Sequence, residues 1–92
     1  MLPKSEGRYV YVVASAKGTL YTGHINDLRL AVHRHRTKEM PGRFVPKKLV
    51  YYEVLPNAQA ARKRLKQIKG LARIKKVALV SSRNPEWNNL LP

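Results

Sequence analysis

Two runs of β-branched and aromatic residues, close together near the start of the chain, constrain the fold most strongly. The first run spans Tyr9 to Ala14 (Tyr-Val-Tyr-Val-Val-Ala) and the second spans Thr19 to His24. Such residues favour extended backbone, and only a short segment containing Gly18 separates the runs. Neighbouring strands joined by so short a connection pair in antiparallel fashion. The sequence therefore predicts a β-hairpin.

The middle of the chain predicts a helix, a loop and a third strand. Asn26 and Asp27 are residue types that cap helices, and the pattern predicts a helix from Leu28 to about Arg36. A basic loop with two prolines follows, over residues 37–46. The run Lys-Leu-Val-Tyr-Tyr-Glu-Val-Leu, residues 48–55, predicts a strand that ends at Pro56.

The last third of the chain predicts two helices. Asn57 is a good cap for a helix to about Lys69, ended by Gly70. Its apolar residues, spaced three and four apart, form a stripe that we expect to be buried: Ala58, Ala61, Leu65 and Ile68. A shorter helix is predicted over residues 72–80, with Ile74, Val77 and Ala78 facing inward. Trp87 is expected to pack on the domain from an ordered tail.

This β-β-α-β-α-α order indicates an α+β domain in which helices flank a small three-stranded antiparallel sheet. The 92 residues, 43% of them hydrophobic, fit a single domain, with its core over residues 9–80 and an ordered tail over 81–92. Residues 1–8 are expected to be a short polar lead, not a signal peptide. No apolar run approaches the roughly 18 residues of a membrane span, and cysteine is absent, so we expect a soluble cytoplasmic protein without disulfides.

The charge balance points to a polyanionic partner. Nineteen Lys and Arg against five Asp and Glu give a net charge of +14, well beyond the roughly 2–8 that keeps a small domain soluble. Cations placed on phosphates release condensed counterions, so such a surface gains affinity for DNA or RNA of any sequence. The simpler alternative is a basic surface that is only solvated. Anionic lipid is a weaker alternative, because the basic helices lack a face rich in Trp or Phe.

The cations are clustered, which favours binding over solvation. Eight lie within residues 62–76 without an acidic neighbour, and six lie within residues 34–48. Helical spacing places Arg62, Lys66 and Lys69 on one face beside the apolar stripe. The predicted nucleic-acid-binding residues are Arg34, Arg36, Arg62, Lys66, Lys69, Arg73 and Lys76. No base-reading motif is visible, so we expect recognition of backbone and shape in DNA or structured RNA.

Several short motifs occur in a fixed order along the chain. Tyr-Val-Tyr at 9–11 and Leu-Tyr-Thr-Gly at 20–23 lie on the two arms of the hairpin, and Asn-Asp-Leu at 26–28 follows them. Leu-Val-Tyr-Tyr-Glu at 49–53, Lys-Gln-Ile-Lys-Gly at 66–70 and Asn-Pro-Glu-Trp at 84–87 come later. Together they resemble the GIY-YIG nuclease superfamily, especially its small stand-alone bacterial members, over residues 9–90. The resemblance implies the α+β fold described above and metal-dependent cleavage of phosphodiester bonds.

The resemblance also implies tyrosines near the attacking water, an arginine on the first helix and a glutamate that holds a divalent cation. The family positions that are kept in this chain are Tyr11, Tyr21, Gly23 and His35. The arginine position is Ala31, and the glutamate position, just before Lys-Gln-Ile-Lys, is Leu65. An aliphatic side chain neither coordinates a hard cation nor donates to a phosphate. We therefore expect binding without cleavage and no bound metal.

Other residues are poor substitutes for the missing groups. Arg29 and Arg34 are rotated from Ala31 by roughly 160° and 60° around the helix, so Arg34 is the less implausible of the two. Glu53 is expected to be an exposed strand carboxylate paired with a nearby lysine, and Asp27 a helix cap.

The histidines and tyrosines have structural interpretations. His33 and His35 point in different directions on a helix, which excludes a shared local metal site, and His35 is expected to be partly buried and hydrogen-bonded. Most tyrosines are expected to pack across the sheet, with Tyr11 and Tyr21 lining the remaining cleft.

Two functions stay open on the sequence. The first is a non-catalytic module that binds DNA structures or forms a basic part of a ribonucleoprotein assembly such as a ribosome. The second is an active structure-selective endonuclease that uses Mg²⁺ or Mn²⁺.

Overall fold

The two aromatic runs form the predicted hairpin in the computed structural model, which describes residues 8–15, 18–31 and 46–90. Strand β1 is Arg8–Ser15, β2 is Leu20–Ile25 and β3 is Pro46–Leu55. A 3₁₀ turn spans Leu28–Leu30, helix α1 spans Ala58–Lys69 and helix α2 spans Arg73–Arg83. At the hairpin turn Gly18 has φ +83°, a left-handed conformation that glycine adopts without strain.

The three strands form one antiparallel sheet with the order β2-β1-β3. Strand β1 is the central strand, and residues 9–14 are all buried. Their run of apolar and aromatic side chains suits this place, because a central strand has apolar contacts on both of its faces. The predicted α+β fold with a three-stranded antiparallel sheet is therefore confirmed.

The sheet buries a different set of residues on each face. On one face Tyr9, Tyr11 and Val13 pack with Leu28 and Ala31. On the other face alternate residues of the same strand pack against the helices, in clusters that include Val10, Val12, Ala61, Ile68 and Val80. The period-two alternation of a strand produces this division.

Helix α1 follows the prediction closely. The Asn57 side chain accepts a hydrogen bond from the Ala60 amide at 2.8 Å, and Gly70 is the C-cap. Ala61 and Ile68 are fully buried, while Ala58 and Leu65 are half-buried. The apolar stripe thus faces the sheet, with Leu65 toward its margin.

Helix α2 departs from the prediction in its inward face. Ile74 is 78% exposed and Ala78 is also exposed, whereas Val80 is buried. The Arg73 guanidinium donates to the Gly18 carbonyl at 2.8 Å and holds the first turn of the helix beside the hairpin. The sheet is met by the C-terminal half of α2, where Leu79 and Val80 pack against it.

Residues 84–90 cover the outer edge of β3. The Leu90 amide donates to the Leu49 carbonyl at 2.8 Å, and the Leu49 amide donates to the Asn89 side chain at 3.1 Å. Buried Asn84 donates to the Val50 carbonyl at 2.9 Å. Trp87 packs against the cluster on the helical face. Covering an edge in this way removes free strand groups at which another chain could pair.

The helix predicted from Leu28 to about Arg36 is seen only at its start. Asp27 caps the 3₁₀ turn by accepting from the Arg29 amide, as predicted, and Ala31 closes the turn. The predicted site residues Arg34, His35 and Arg36 and the basic loop up to residue 45 lie outside the described residues, as does His33. None of the helices within the described ranges is long and apolar enough to cross a membrane.

Candidate nucleic-acid-binding cleft

A cleft of about 330 Å³ lies at the edge strand β2, between the hairpin and helix α1. Two family-motif tyrosines that the sequence predicted for the cleft, Tyr11 and Tyr21, both line it. Leu65, which was predicted to stand at the glutamate position of the resembling family, lines the same cleft. The other described lining residues are Arg8, Thr22, Gly23, His24 and Lys69. The sheet and α1 thus bring together four of the residues that the motif matches singled out: Tyr11, Tyr21, Gly23 and Leu65.

Gly23 is required by the position of Tyr11. The two residues are paired across the β1–β2 ladder. A Cβ atom on Gly23 would lie 2.5 Å from the Tyr11 hydroxyl oxygen and 2.8 Å from its Cζ atom. Tyr11 is fully buried, so its ring has little room to move away. The glycine therefore makes the space that the tyrosine occupies beside the cleft.

We expect Gly23→Ala to lower the free energy of unfolding by about 1–3 kcal/mol, since overpacking displaces Tyr11. Urea unfolding followed by circular dichroism measures the change. Gly70→Ala is the matched control, because its added Cβ would meet only backbone oxygens at 3.5 Å and its φ of −77° suits alanine. Equal losses in the two variants would show that the glycine does not hold the tyrosine.

Two predicted cations fasten the helices to the hairpin beside the cleft. The Lys69 ammonium lies 5.9 Å from the centroid of the Tyr21 ring, a cation–π geometry. Arg73 hydrogen-bonds the Gly18 carbonyl, as described above. Of the other predicted cations within the described residues, Arg62 and Lys66 are exposed on α1 and Lys76 is half-buried on α2.

Arg8 lines the cleft, and the sequence did not single it out. It stands apart from both cationic clusters, so charge clustering gave no signal for it. The signal that could have found it is its place at the start of β1, directly before the first tyrosine motif.

Glu53 corrects the expectation of an exposed carboxylate paired with lysine. Its side chain is only 15% exposed and binds the Arg64 guanidinium through two hydrogen bonds, of 2.8 and 2.9 Å. The Tyr51 hydroxyl also donates to it. Glu53 lies on the same face of β3 as Tyr51, the face that packs against the helices, and there Arg64 of α1 reaches it.

The pKa values follow from this network. The hydrogen bonds from Arg64 lower the pKa of the Glu53 carboxyl, while partial burial opposes that shift. Burial raises the pKa of the Tyr51 hydroxyl, and its hydrogen bond to Glu53 adds to the effect. The Arg83 guanidinium lies 5.5 Å from the centroid of the Tyr51 ring. Glu53 thus joins β3 to α1 through Arg64, Tyr51 contacts Arg83 of α2, and Glu53 is not among the described residues that line the cleft.

Of the positions considered for the arginine that the resemblance implies, the structure describes Ala31 and Arg29, whereas Arg34 lies outside the described residues. Ala31 is fully buried in the core beneath the sheet. The Arg29 guanidinium binds the Asp27 carboxylate at 2.9 Å. Within the described part of the chain, no group of three or more His, Asp or Glu side chains is placed to hold a metal ion.

Comparison with known proteins gives a consistent set of relatives. No protein-family model matches the chain. A UPF0213 protein from Clostridium perfringens is 36% identical over 85 residues, which cover 88% of this chain and 90% of that protein. A UPF0213 protein from Staphylococcus aureus is 32% identical over 82 residues, covering 85% and 99%. The solution NMR structure of a UPF0213 protein from Bacillus halodurans has a TM-score of 0.58 and 28% identity, covering 87% of this chain and 88% of its own.

Proposed function

This chain belongs to the UPF0213 family, and from that premise we propose that it is a nucleic-acid-binding domain on a GIY-YIG-type scaffold that does not cut. It binds DNA or structured RNA through a basic surface. The observation that carries the proposal is the place of Leu65, which lies in the same cleft as Tyr11 and Tyr21 but offers no ligand to a metal.

The described lining of the cleft does not fit a divalent cation. Mg²⁺ and Mn²⁺ prefer oxygen ligands, above all carboxylates. No carboxylate occurs among the described lining residues, and Arg8 and Lys69 add positive charge there. Asp27 and Glu53 are engaged by arginines elsewhere in the described structure. The same lining suits a phosphate, which the two cations can hold directly.

The buried position of Ala31 adds support. In the resemblance this residue replaces the arginine that faces the phosphate. An arginine here would have to enter the core cluster around Tyr9 and Leu28, so the core has closed over the position. The absence of an arginine at Ala31 and of a glutamate at Leu65 is consistent with a protein that binds a phosphate but does not stabilise the charge that builds up on it during cleavage.

A basic surface continues from the cleft along the helices. Residues 54–85 carry nine cations and no acidic residue. Arg62, Lys66 and Lys69 are exposed on α1 at helical spacing, and Lys69 also lines the cleft. A nucleic-acid backbone that follows these cations reaches the cleft at Lys69. The partner is either a DNA structure or the RNA of an assembly such as a ribosome, and copurification from a cytoplasmic extract distinguishes them.

The test combines binding with cleavage. We expect fluorescence anisotropy to show affinity for duplex DNA or hairpin RNA that falls steeply between 50 and 200 mM salt, by on the order of 10³-fold if six phosphates are contacted. Branched, nicked and single-stranded substrates are expected to give no product with Mg²⁺ or Mn²⁺. A flat salt response contradicts the binding proposal. Metal-dependent product that Tyr21→Phe abolishes would instead establish the alternative, an active endonuclease.

Leu65→Glu is the matched variant for the metal, because it places a carboxylate in the cleft. Calorimetric titration with Mn²⁺ is expected to show binding by the variant and none by the natural chain. Equal binding by the two proteins would mean that Leu65 does not occupy the family's metal position.

A further inference from the structure

The cleft has the dimensions of a pocket for one small molecule, whereas the basic surface around it suits an extended backbone. Its volume of about 330 Å³ lies at the lower end of the roughly 300–1,000 Å³ of small-molecule sites. The phosphate backbone of a duplex needs a groove or a ridge. A pocket beside such a ridge implies that one part of the bound nucleic acid turns away from the backbone path and enters the pocket.

The lining matches the two halves of a nucleotide. Tyr21 contributes an aromatic ring that is only partly buried, and half-buried Leu65 contributes an aliphatic surface. A flat base can stack on the first and pack on the second. The polar groups of Thr22 and His24 also line the pocket and are of the kind that bind base edges.

The cations are placed for the phosphate that accompanies such a base. The Lys69 ammonium lies 5.9 Å from the centroid of the Tyr21 ring. A base that stacks at this ring therefore brings its own phosphate, one sugar away, close to the ammonium. Arg8 adds a second positive charge to the lining.

Leu65 is the residue that changes the character of the pocket. A carboxylate at this position would repel a phosphate unless a metal ion lay between them. With leucine the pocket gains an apolar surface and loses that repulsion, so a base and a phosphate can both be accommodated without a metal.

We infer that the cleft binds a single unpaired nucleotide, with its base against Tyr21 and Leu65 and its phosphate at Lys69 and Arg8. This inference rests on the proposed function and specifies its substrate: DNA or RNA that offers a bulged or unstacked nucleotide. The extrahelical base enters the cleft while the flanking backbone follows the cations of α1. Unpaired bases enter such pockets more readily than paired ones, because no stacking or pairing must be broken.

The experiment compares oligonucleotides that differ by one unpaired nucleotide. Hairpins with and without a single bulged 2-aminopurine, in DNA and in RNA versions, are titrated in EDTA and followed by the fluorescence of the base. We expect the bulged form to bind roughly five- to a hundredfold tighter, which is the contribution of one stacked base. The DNA and RNA arms show which nucleic acid supplies the nucleotide.

Variants separate stacking from general affinity. Tyr21→Phe keeps the ring and is expected to keep the preference for the bulged hairpin, whereas Tyr21→Leu removes the ring and is expected to remove that preference. If Tyr21→Leu does not fold, Leu65→Glu is a second variant that is expected to lose the preference for the bulged hairpin. Leu65 lies at the margin of the apolar stripe of α1 and is only half-buried. Ile74→Ala, at an exposed residue outside the cleft, is the control and is expected to change neither affinity.

Each outcome has a definite meaning. A preference that Tyr21→Phe keeps and Tyr21→Leu loses supports the inference. Equal, salt-dependent binding of bulged and paired hairpins overturns the inference and leaves the proposed function standing. No binding of either hairpin overturns both.

Discussion

Replacing Arg62, Lys66 and Lys69 together with glutamine is expected to weaken binding to duplex DNA or hairpin RNA by on the order of a hundredfold at about 0.1 M salt. All three side chains are exposed on α1 and share one helical face. Each neutralised phosphate contributes about 0.9 to the slope of log affinity against log salt, so the slope should decrease by nearly 3. Anisotropy titrations at four salt concentrations measure both quantities.

The control for this prediction is a lysine on the same helix. Lys63 is exposed and lies roughly 120° around α1 from Lys69, away from the cleft. Lys63→Gln removes the same charge as Lys69→Gln but is expected to change the slope little. If the two single variants lower the slope equally, α1 has no binding face and its charge acts only through the overall field of the domain.

Glu53→Gln is expected to lower the free energy of unfolding by about 2 kcal/mol at pH 7, because charge-assisted hydrogen bonds in a partly buried site are lost. The carboxylate is 15% exposed and its partner Arg64 is 33% exposed, so solvent screens the pair only in part. The substitution keeps the size of the side chain and removes its charge. Urea unfolding at pH 7 measures the loss.

The effect of Glu53 should depend on pH in a definite direction. Its pKa is lower in the folded protein, so the carboxylate stabilises the fold above the unfolded-state pKa of about 4.3. That stabilisation is lost as the pH falls through the lowered folded-state pKa. The natural chain should therefore lose its greater free energy of unfolding relative to Glu53→Gln below about pH 4. A difference in free energy of unfolding that is constant from pH 7 to pH 2 would show that the charge of Glu53 does not stabilise the fold.

Asp27→Asn is the matched control for this ion pair. Asparagine caps a helix as well as aspartate does, and the Arg29 partner is 52% exposed. The loss is expected to stay below about 1 kcal/mol, as for other exposed pairs. A loss equal to that of Glu53→Gln would mean that burial adds nothing to the Glu53 pair.

The pair matters for function because of where it holds α1. Glu53 fastens the helix to β3 through Arg64, while Lys69 at the end of α1 contacts the Tyr21 ring of the hairpin. Leu65 and Lys69 meet the cleft only if α1 keeps this orientation across the sheet. Structural ion pairs thus position the residues proposed to bind.

Features that depend on near neighbours in the chain followed from the sequence. The strands of the hairpin, the caps Asp27 and Asn57 and the stop at Gly70 are all where they were predicted. Each is decided by backbone preference or by a hydrogen bond within about four residues. The buried stripe of α1 followed from its 3.6-residue period for the same reason.

Features that depend on how the helices pack on the sheet could not be predicted from the sequence. Periodicity predicted that Ile74 faces inward, but Ile74 is 78% exposed and the sheet is met by Val80 at the other end of α2. The partner of Glu53 was expected to be a lysine, yet the helix above it brings an arginine 11 residues away. Arg8 was missed because its neighbours in the cleft are distant in sequence.

The sequence by itself determined the order of strands and helices and the excess of positive charge, and its resemblance to the GIY-YIG nucleases predicted that Ala31 and Leu65 stand at two catalytic positions. Only the tertiary structure decided that Leu65 lies beside Tyr11 and Tyr21, and that Ala31 is closed into the core. The physical reason is one of range. Backbone preferences and capping act between near neighbours, whereas a cleft is made by side chains that meet only when the sheet and α1 pack together.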